Sequence, residues 1–169
     1  LTGIRKIESG EIKLEGTTIS SNSHFSNPRE LREKDVAHVP EDRQRMGLVT
    51  EFNASENIIF GYHHKPPFSN SSIMMGSNIF NHSNAIMKEY DVRPISPFLK
   101  TSNFSGGNQQ KIILSRELNK DPKVLLVGQP TRGVDIGAIE FIHQRIIDMR
   151  NKGAAILLVS VELDEILSL

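Results

Sequence analysis

The sequence predicts an α/β fold, and three observations carry that prediction. Val124 to Val127 is a continuous apolar run, as expected of a strand buried on both faces. Ala155 to Val159 is a second such run. Between them, Gly137 to Lys152 places Ile139, Ile142, Ile146 and Met149 at helical spacing and stops at Gly153. A strand, a helix and a strand joined by a crossover of this length form a parallel βαβ unit.

The other elements follow in chain order. Glu11 to Gly16 alternates polar and apolar residues and ends on glycine, a strand and a turn. Ser20 to Asn27 is rich in Ser and Asn and reads as a loop. Asn27 and Pro28 open a short helix, with Asn27 as the cap. Val36 to Val39 is a short buried strand stopped by Pro40, and Glu41 to Gly47 is a charged turn. Ser55 to Ile59 is a short helix. Lys65 to Met75, with Pro66, Pro67 and three serines, cannot be regular structure throughout. Its Pro66-Pro67-Phe68 and Met74-Met75 are apolar for a loop, either to pack the subdomain or to meet another subunit. Asn78 to Tyr90 is an amphipathic helix with Ile79, Ala85, Ile86 and Tyr90 inward. Pro94 and Pro97 mark another irregular stretch. Ser105 opens a helix running through Ile112, Ile113, Leu114 and Leu118, and Leu163 to Leu169 begins a last one. The chain divides into 1–53, a largely helical insertion over 54–119, and 120–169.

Composition narrows the function. With 169 residues the chain suits one domain with a real core. Lys and Arg number 20 and Asp and Glu number 20, so there is no basic excess of the kind that tracks polyanions. The absence of Cys excludes disulfide scaffolds, Cys-ligated zinc and a cysteine nucleophile. No run approaches the roughly 18 apolar residues of a membrane span. Six histidines are present, but His63 and His64 are adjacent and point apart on regular structure, and no ligand constellation surrounds the others. A dedicated metal site is not expected. The chain opens on Leu1 and stops within a helix, so it reads as a piece of a longer protein whose sheet would leave apolar edges uncovered.

The sharpest chemical signal is Phe104-Ser105-Gly106-Gly107-Asn108-Gln109-Gln110-Lys111. Ser105 can cap the first amides of a helix or donate to an oxyanion. Two glycines let an anion approach the backbone, and the helix dipole adds positive potential there. A plain Ser-capped helix is the competing reading. A second signal is the strand end Val127-Gly128-Gln129-Pro130-Thr131-Arg132-Gly133-Val134-Asp135, where α/β proteins place ligands. A metal-binding carboxylate and a general base would be useful there, but Gly128 has no side chain and Gln129 does not ionise. Arg132 reads equally as a phosphate contact or as a brace for its own loop.

In order and spacing, Ser105 to Lys111 followed by Val124 to Asp135 resembles the signature motif, Walker B strand and D-loop of ATP-binding cassette ATPases. Ser-Gly-Gly-Asn-Gln-Gln-Lys with Pro-Thr-Arg-Gly-Val-Asp is similar to the second cassette of two-cassette importers for simple sugars and nucleosides. Val39-Pro40-Glu41-Asp42-Arg43 matches that subfamily's Q-loop, with Glu41 in place of the usual Gln. The resemblance covers essentially the whole chain. It implies a P-loop NTPase-like core, ATP and Mg2+ in the intact protein, and a site at the cytoplasmic face of the membrane. It also implies a second cassette and transmembrane permease subunits as partners, with a periplasmic or lipoprotein solute-binding protein acting indirectly and no nucleic acid.

The departures are equally specific. The phosphate loop G-x-x-x-x-G-K-[ST] is absent and would lie just before Leu1 in this family. The Walker B Asp aligns with Gly128, the catalytic Glu with Gln129 and the switch His with Val161. The signature is intact. The resemblance therefore implies that Ser105, Gly106, Gly107 and Gln109 serve nucleotide in trans, with Glu41 and Asp135 in the coupling and D-loop positions. Two alternatives stand beside this reading: a non-hydrolysing pseudo-cassette with a scaffold or regulatory role, and a cassette ATPase acting on DNA or ribosomes.

Overall fold

The computed structural model describes residues 1–21 and 23–169; Asn22, inside the loop expected over 20–27, lies outside the described residues. The central element is a parallel sheet of order β3-β6-β7, formed by Val36–Val39, Val124–Gly128 and Ala155–Val159. The crossover between β6 and β7 is α5, Ile136–Asn151, as its apolar spacing predicts. β1 (Glu11–Leu14) and β2 (Thr17–Ser21) form an antiparallel hairpin around the Glu15-Gly16 turn. β2 takes up Ser20 and Ser21, and Ser20 also bridges Phe25, so the loop expected over 20–27 is shorter.

The local signals hold where a cap defines them. Asn27 accepts a hydrogen bond from Glu30 N at the start of α1, Pro28–Glu33. Asn53 and Glu56 form a reciprocal capping box at α2, Ala54–Ile58. The charged turn after β3 is one π-type helical turn, Arg43–Gly47, capped by Asp42. The stretch 65–75 is not regular throughout and holds a small hairpin of β4 (Ser69–Asn70) and β5 (Ile73–Met74). Phe68 packs inside, whereas Ile73, Met74 and Met75 remain exposed.

α3, Gly76–Glu89, buries Ser83, Ile86 and Met87 and leads into buried Tyr90, with Ile79 partly buried. Ala85 is exposed, contrary to its expected inward position. At 3.6 residues per turn it falls well off the stripe formed by Ile79, Ser83, Ile86 and Tyr90.

α4, Gly106–Leu118, is the axis of the core. Ile112, Ile113 and Leu114 are fully buried, and the helix packs against α2, α5 and β3. Even its charged residues are enclosed. Glu117 is fully buried and accepts from Arg32 Nη1 at 3.2 Å, Arg116 Nε at 2.8 Å and the His38 backbone N–H at 3.3 Å. Burial alone would raise its pKa, but Arg116 and Arg32 outweigh that and hold the carboxylate below its ordinary value.

The sheet has two unlike faces. Ala37, Val39, Leu125 and Val127 join the core beneath α4 and α5, with Ile156 and Leu158 packed against it. On the other face His38, Leu126 and Leu157 stand in register, and Leu157 and Val159 are 47% and 58% exposed. β7 was expected to be buried throughout, but it is an edge strand with only one covered face. α6, Leu163–Ser168, closes the described chain and is tied to α5 by His143 Nε2 and Glu165 Oε1 at 3.1 Å. No helix among the described residues is long and apolar enough to cross a membrane.

Candidate functional site at a helix start and a strand end

The turn at Ser105 to Gly107 forms as its residues dictate. Ser105, in extended conformation, caps α4 and accepts from Asn108 N at 3.4 Å and Asn108 Nδ2 at 2.9 Å. Gly106 and Gly107 are the first helical residues, so their N–H groups have no acceptor within the helix. Ser105 is exposed, Gly106 half-buried and Gly107 buried.

The glycines also have a packing reason that the sequence does not reveal. A Cβ on Gly106 would lie 2.5 Å from Arg43 Nη2 and 2.8 Å from the Gly133 carbonyl oxygen. A Cβ on Gly107 would lie 2.9 Å from Asp135 Oδ2 and 3.0 Å from Ala138 Cβ. Both glycines therefore admit the loop after β6 against the start of α4. Asp135 caps α5 by accepting from Ala138 N at 2.9 Å, which fixes its carboxylate beside Gly107.

Gln109 turns inward. Its amide donates to the Thr101 carbonyl at 3.0 Å and accepts from Gln44 Nε2 at 3.2 Å, and the residue is 2% exposed. It braces the turn from behind and links it to the segment after β3.

The strand end is built differently. Gly128 closes β6 against Glu41, whose backbone nitrogen would lie 3.1 Å from a Cβ at Gly128. Gln129 has φ +44° and donates its N–H to the Val159 carbonyl at 2.7 Å. Glu41 is exposed, and Val161, beyond β7, is 75% exposed. A shallow cavity of about 260 Å³ runs from this edge along the open sheet face past His38, Leu126 and Leu157. Neither Gly128 nor Gln129 offers a carboxylate; Glu41 supplies a lone exposed one beside them, which does not fit a metal-assisted hydrolytic centre. Among the described residues no three His, Asp or Glu side chains gather to hold a metal ion. The Arg132 side chain is exposed, and its carbonyl accepts from Arg43.

Sequence reasoning missed Asn57. It is fully buried, with Oδ1 accepting from Val49 N and Nδ2 donating to the Val49 carbonyl and Thr101 Oγ1. It stitches the segment after the π-type turn to the segment leading into Ser105. The only local hint is an Asn on the buried side of a short capped helix.

A parallel sheet whose strand-end loops gather against a serine-capped helix start belongs to the class of α/β proteins that bind ligands at the carboxyl ends of strands. This chain belongs to the ABC transporter family, whose pattern it matches over residues 1–132. It is 46% identical over 168 residues to the nucleoside import ATP-binding protein NupA of Lactococcus lactis subsp. cremoris, covering 99% of this chain and 32% of that protein. It is 40% identical over 169 residues to the guanosine import ATP-binding protein NupO of Bacillus subtilis, again covering 32% of that protein. Identity to the ribose import ATP-binding protein RbsA of Oceanobacillus iheyensis is 31% over 99% of this chain and 32% of that protein. The chain thus spans about a third of the length of these relatives. The fold matches the ATP-binding cassette MJ0796 in a dimeric post-hydrolysis state bound to ADP and Pi, with TM-score 0.75 at 20% identity, over 97% of this chain and 68% of that one.

Proposed function

We propose that this chain is the greater part of the second, catalytically degenerate cassette of an ATP-driven importer for nucleosides or simple sugars. Residues 1–53 and 120–169 are the ATPase core, and 54–119 is the helical and signature subdomain. The observation that carries the reading is an asymmetry within one site region. The Ser105–Gly107 turn is intact, capped and backed by Gln109 and Asp135, whereas Gly128, Gln129 and Val161 supply no ionisable group at the strand ends.

In this reading the free amides of Gly106 and Gly107 and the Ser105 hydroxyl face the terminal phosphate of ATP held by a partner cassette. Their role is positioning and charge stabilisation of the phosphoryl group in flight. Hydrolysis at that composite site relies on the partner's carboxylates. The site containing Gly128 and Gln129 turns over poorly or not at all. Mg2+ accompanies ATP and is held chiefly by phosphate oxygens. The partners are the other cassette and the permease subunits, with the solute-binding protein acting indirectly, at the cytoplasmic face of the membrane. Nucleosides are the favoured cargo class because the relatives of 46% and 40% identity carry nucleoside and guanosine import names, and the ribose relative is more distant.

Uptake of labelled guanosine and labelled ribose, measured in cells lacking the full gene and in cells complemented with it, tests the proposal. Guanosine uptake should fall on deletion and return on complementation. Unchanged uptake of both solutes would overturn the importer reading.

A further inference from the structure

The loops after the neighbouring parallel strands β3 and β6 are fastened by one side chain. Arg43, first residue of the π-type turn after β3, reaches across to the loop after β6. Its Nη1 donates to the Arg132 carbonyl at 2.6 Å and its Nη2 to the Gly133 carbonyl at 3.1 Å. Two successive carbonyls are thus held by one planar fork, a geometry that guanidinium supplies and ammonium does not. Gly133 has φ +63°, which aims its carbonyl at the fork and disfavours any side chain there. The Cβ that Gly106 lacks would lie 2.5 Å from the same Nη2 and 2.8 Å from the same Gly133 oxygen. The missing side chain at Gly106 therefore leaves room for the fork beside the anion-type turn.

We infer that Arg43 is a positioning residue that latches the loop 130–135 and the Ser105–Gly107 turn to the segment after β3, so that the three move as one body. The position of the phosphate-facing turn is then set by the π-type turn, and a displacement of residues 41–47 is passed to residues 105–107 through this side chain. The latch rests on internal geometry; its consequence for ATP turnover rests on the function proposed above.

The test uses the full-length protein and two variants, Arg43→Lys and Arg43→Ala, with two readouts. Amide exchange over residues 130–137 reports the latch itself. Both variants should exchange there about tenfold faster, the factor expected from losing two charge-assisted hydrogen bonds at a surface loop. Exchange over the buried part of α4, residues 112–118, should be unchanged, which separates the latch from general destabilisation. ATP turnover stimulated by the permease should fall several-fold in kcat with KM for ATP retained, and Lys should not rescue it. Unchanged exchange over 130–137 in both variants would overturn the latch, as would full rescue by Lys, which would leave only a charge effect. If the wild-type protein shows no stimulated turnover, the importer reading fails while the exchange measurement still decides the latch.

Discussion

The start of α4 and the end of β6 lie at one edge of the molecule, joined by the loop 128–135, yet they are built to opposite standards. Around Ser105 to Gly107 every neighbour is specified: a serine cap, two glycines fitted against Arg43, Gly133 and Asp135, and a buried Gln109 behind. Gly128 and Gln129 themselves carry no ionisable side chain, the neighbouring Glu41 is exposed, and the adjoining sheet face lies open at Leu157 and Val159. In the function proposed above, the two features serve different jobs: a helix start that meets a partner's phosphate must keep its shape, whereas a strand end that is not asked to hydrolyse need not keep its acids.

The largest expected effect probes the rigid support of the intact side. Glu117→Gln should destabilise α4 by about 3–5 kcal/mol, because it strands Arg116 in the interior. Native-state hydrogen exchange of the α4 amides in the full-length protein measures this. The same carboxylate sets a pH dependence. Its folded pKa lies below the ordinary value, so its contribution is present above about pH 4.3 and is lost as pH falls through the folded value. A flat acid limb in α4 exchange would contradict the ion-pair account. Gly107→Ala should cost about 1–3 kcal/mol at the same helix, because its Cβ meets Asp135 and Ala138. Asp135→Ala removes the cap of α5 and should cost about 1 kcal/mol, read from exchange at the first amides of that helix. The smallest effect is on the other side. Gln129→Glu should leave ATP turnover near the wild-type rate, since Gly128 and Val161 stay without function. A large gain would mean that the strand end is nearly competent.

Much of this was legible in the sequence, and the reasons are local. Caps at Asn27 and Ser105 are short-range hydrogen bonds that Asn and Ser dictate, so those helix starts fall where the residues place them, whereas the caps Asn53 and Asp135 go unread and their helices begin one residue before the expected Ser55 and Gly137. The βαβ unit follows from apolar runs and helical spacing. What stayed hidden depends on distant partners. Nothing near Glu117 in sequence announces Arg32, and nothing near Gly106 announces Arg43 and Gly133. β7 reads as doubly buried because apolar runs do not say which sheet face finds a cover. Ala85, grouped with the inward side of an amphipathic helix, lies off the phase of its own stripe and is exposed.

Side-by-side ATP turnover by the full-length protein carrying Gly106→Asp or Gln129→Ala tests the central claim most directly. The aspartate adds bulk and negative charge where the Ser105–Gly107 turn meets Arg43 and Gly133, and on the proposed function turnover should drop at least about a hundredfold. Gln129→Ala should leave turnover within about twofold, because a neutral amide there carries no proton. The reverse outcome, turnover surviving at Gly106 and collapsing at Gln129, would contradict the account and place the working chemistry at this chain's own strand end.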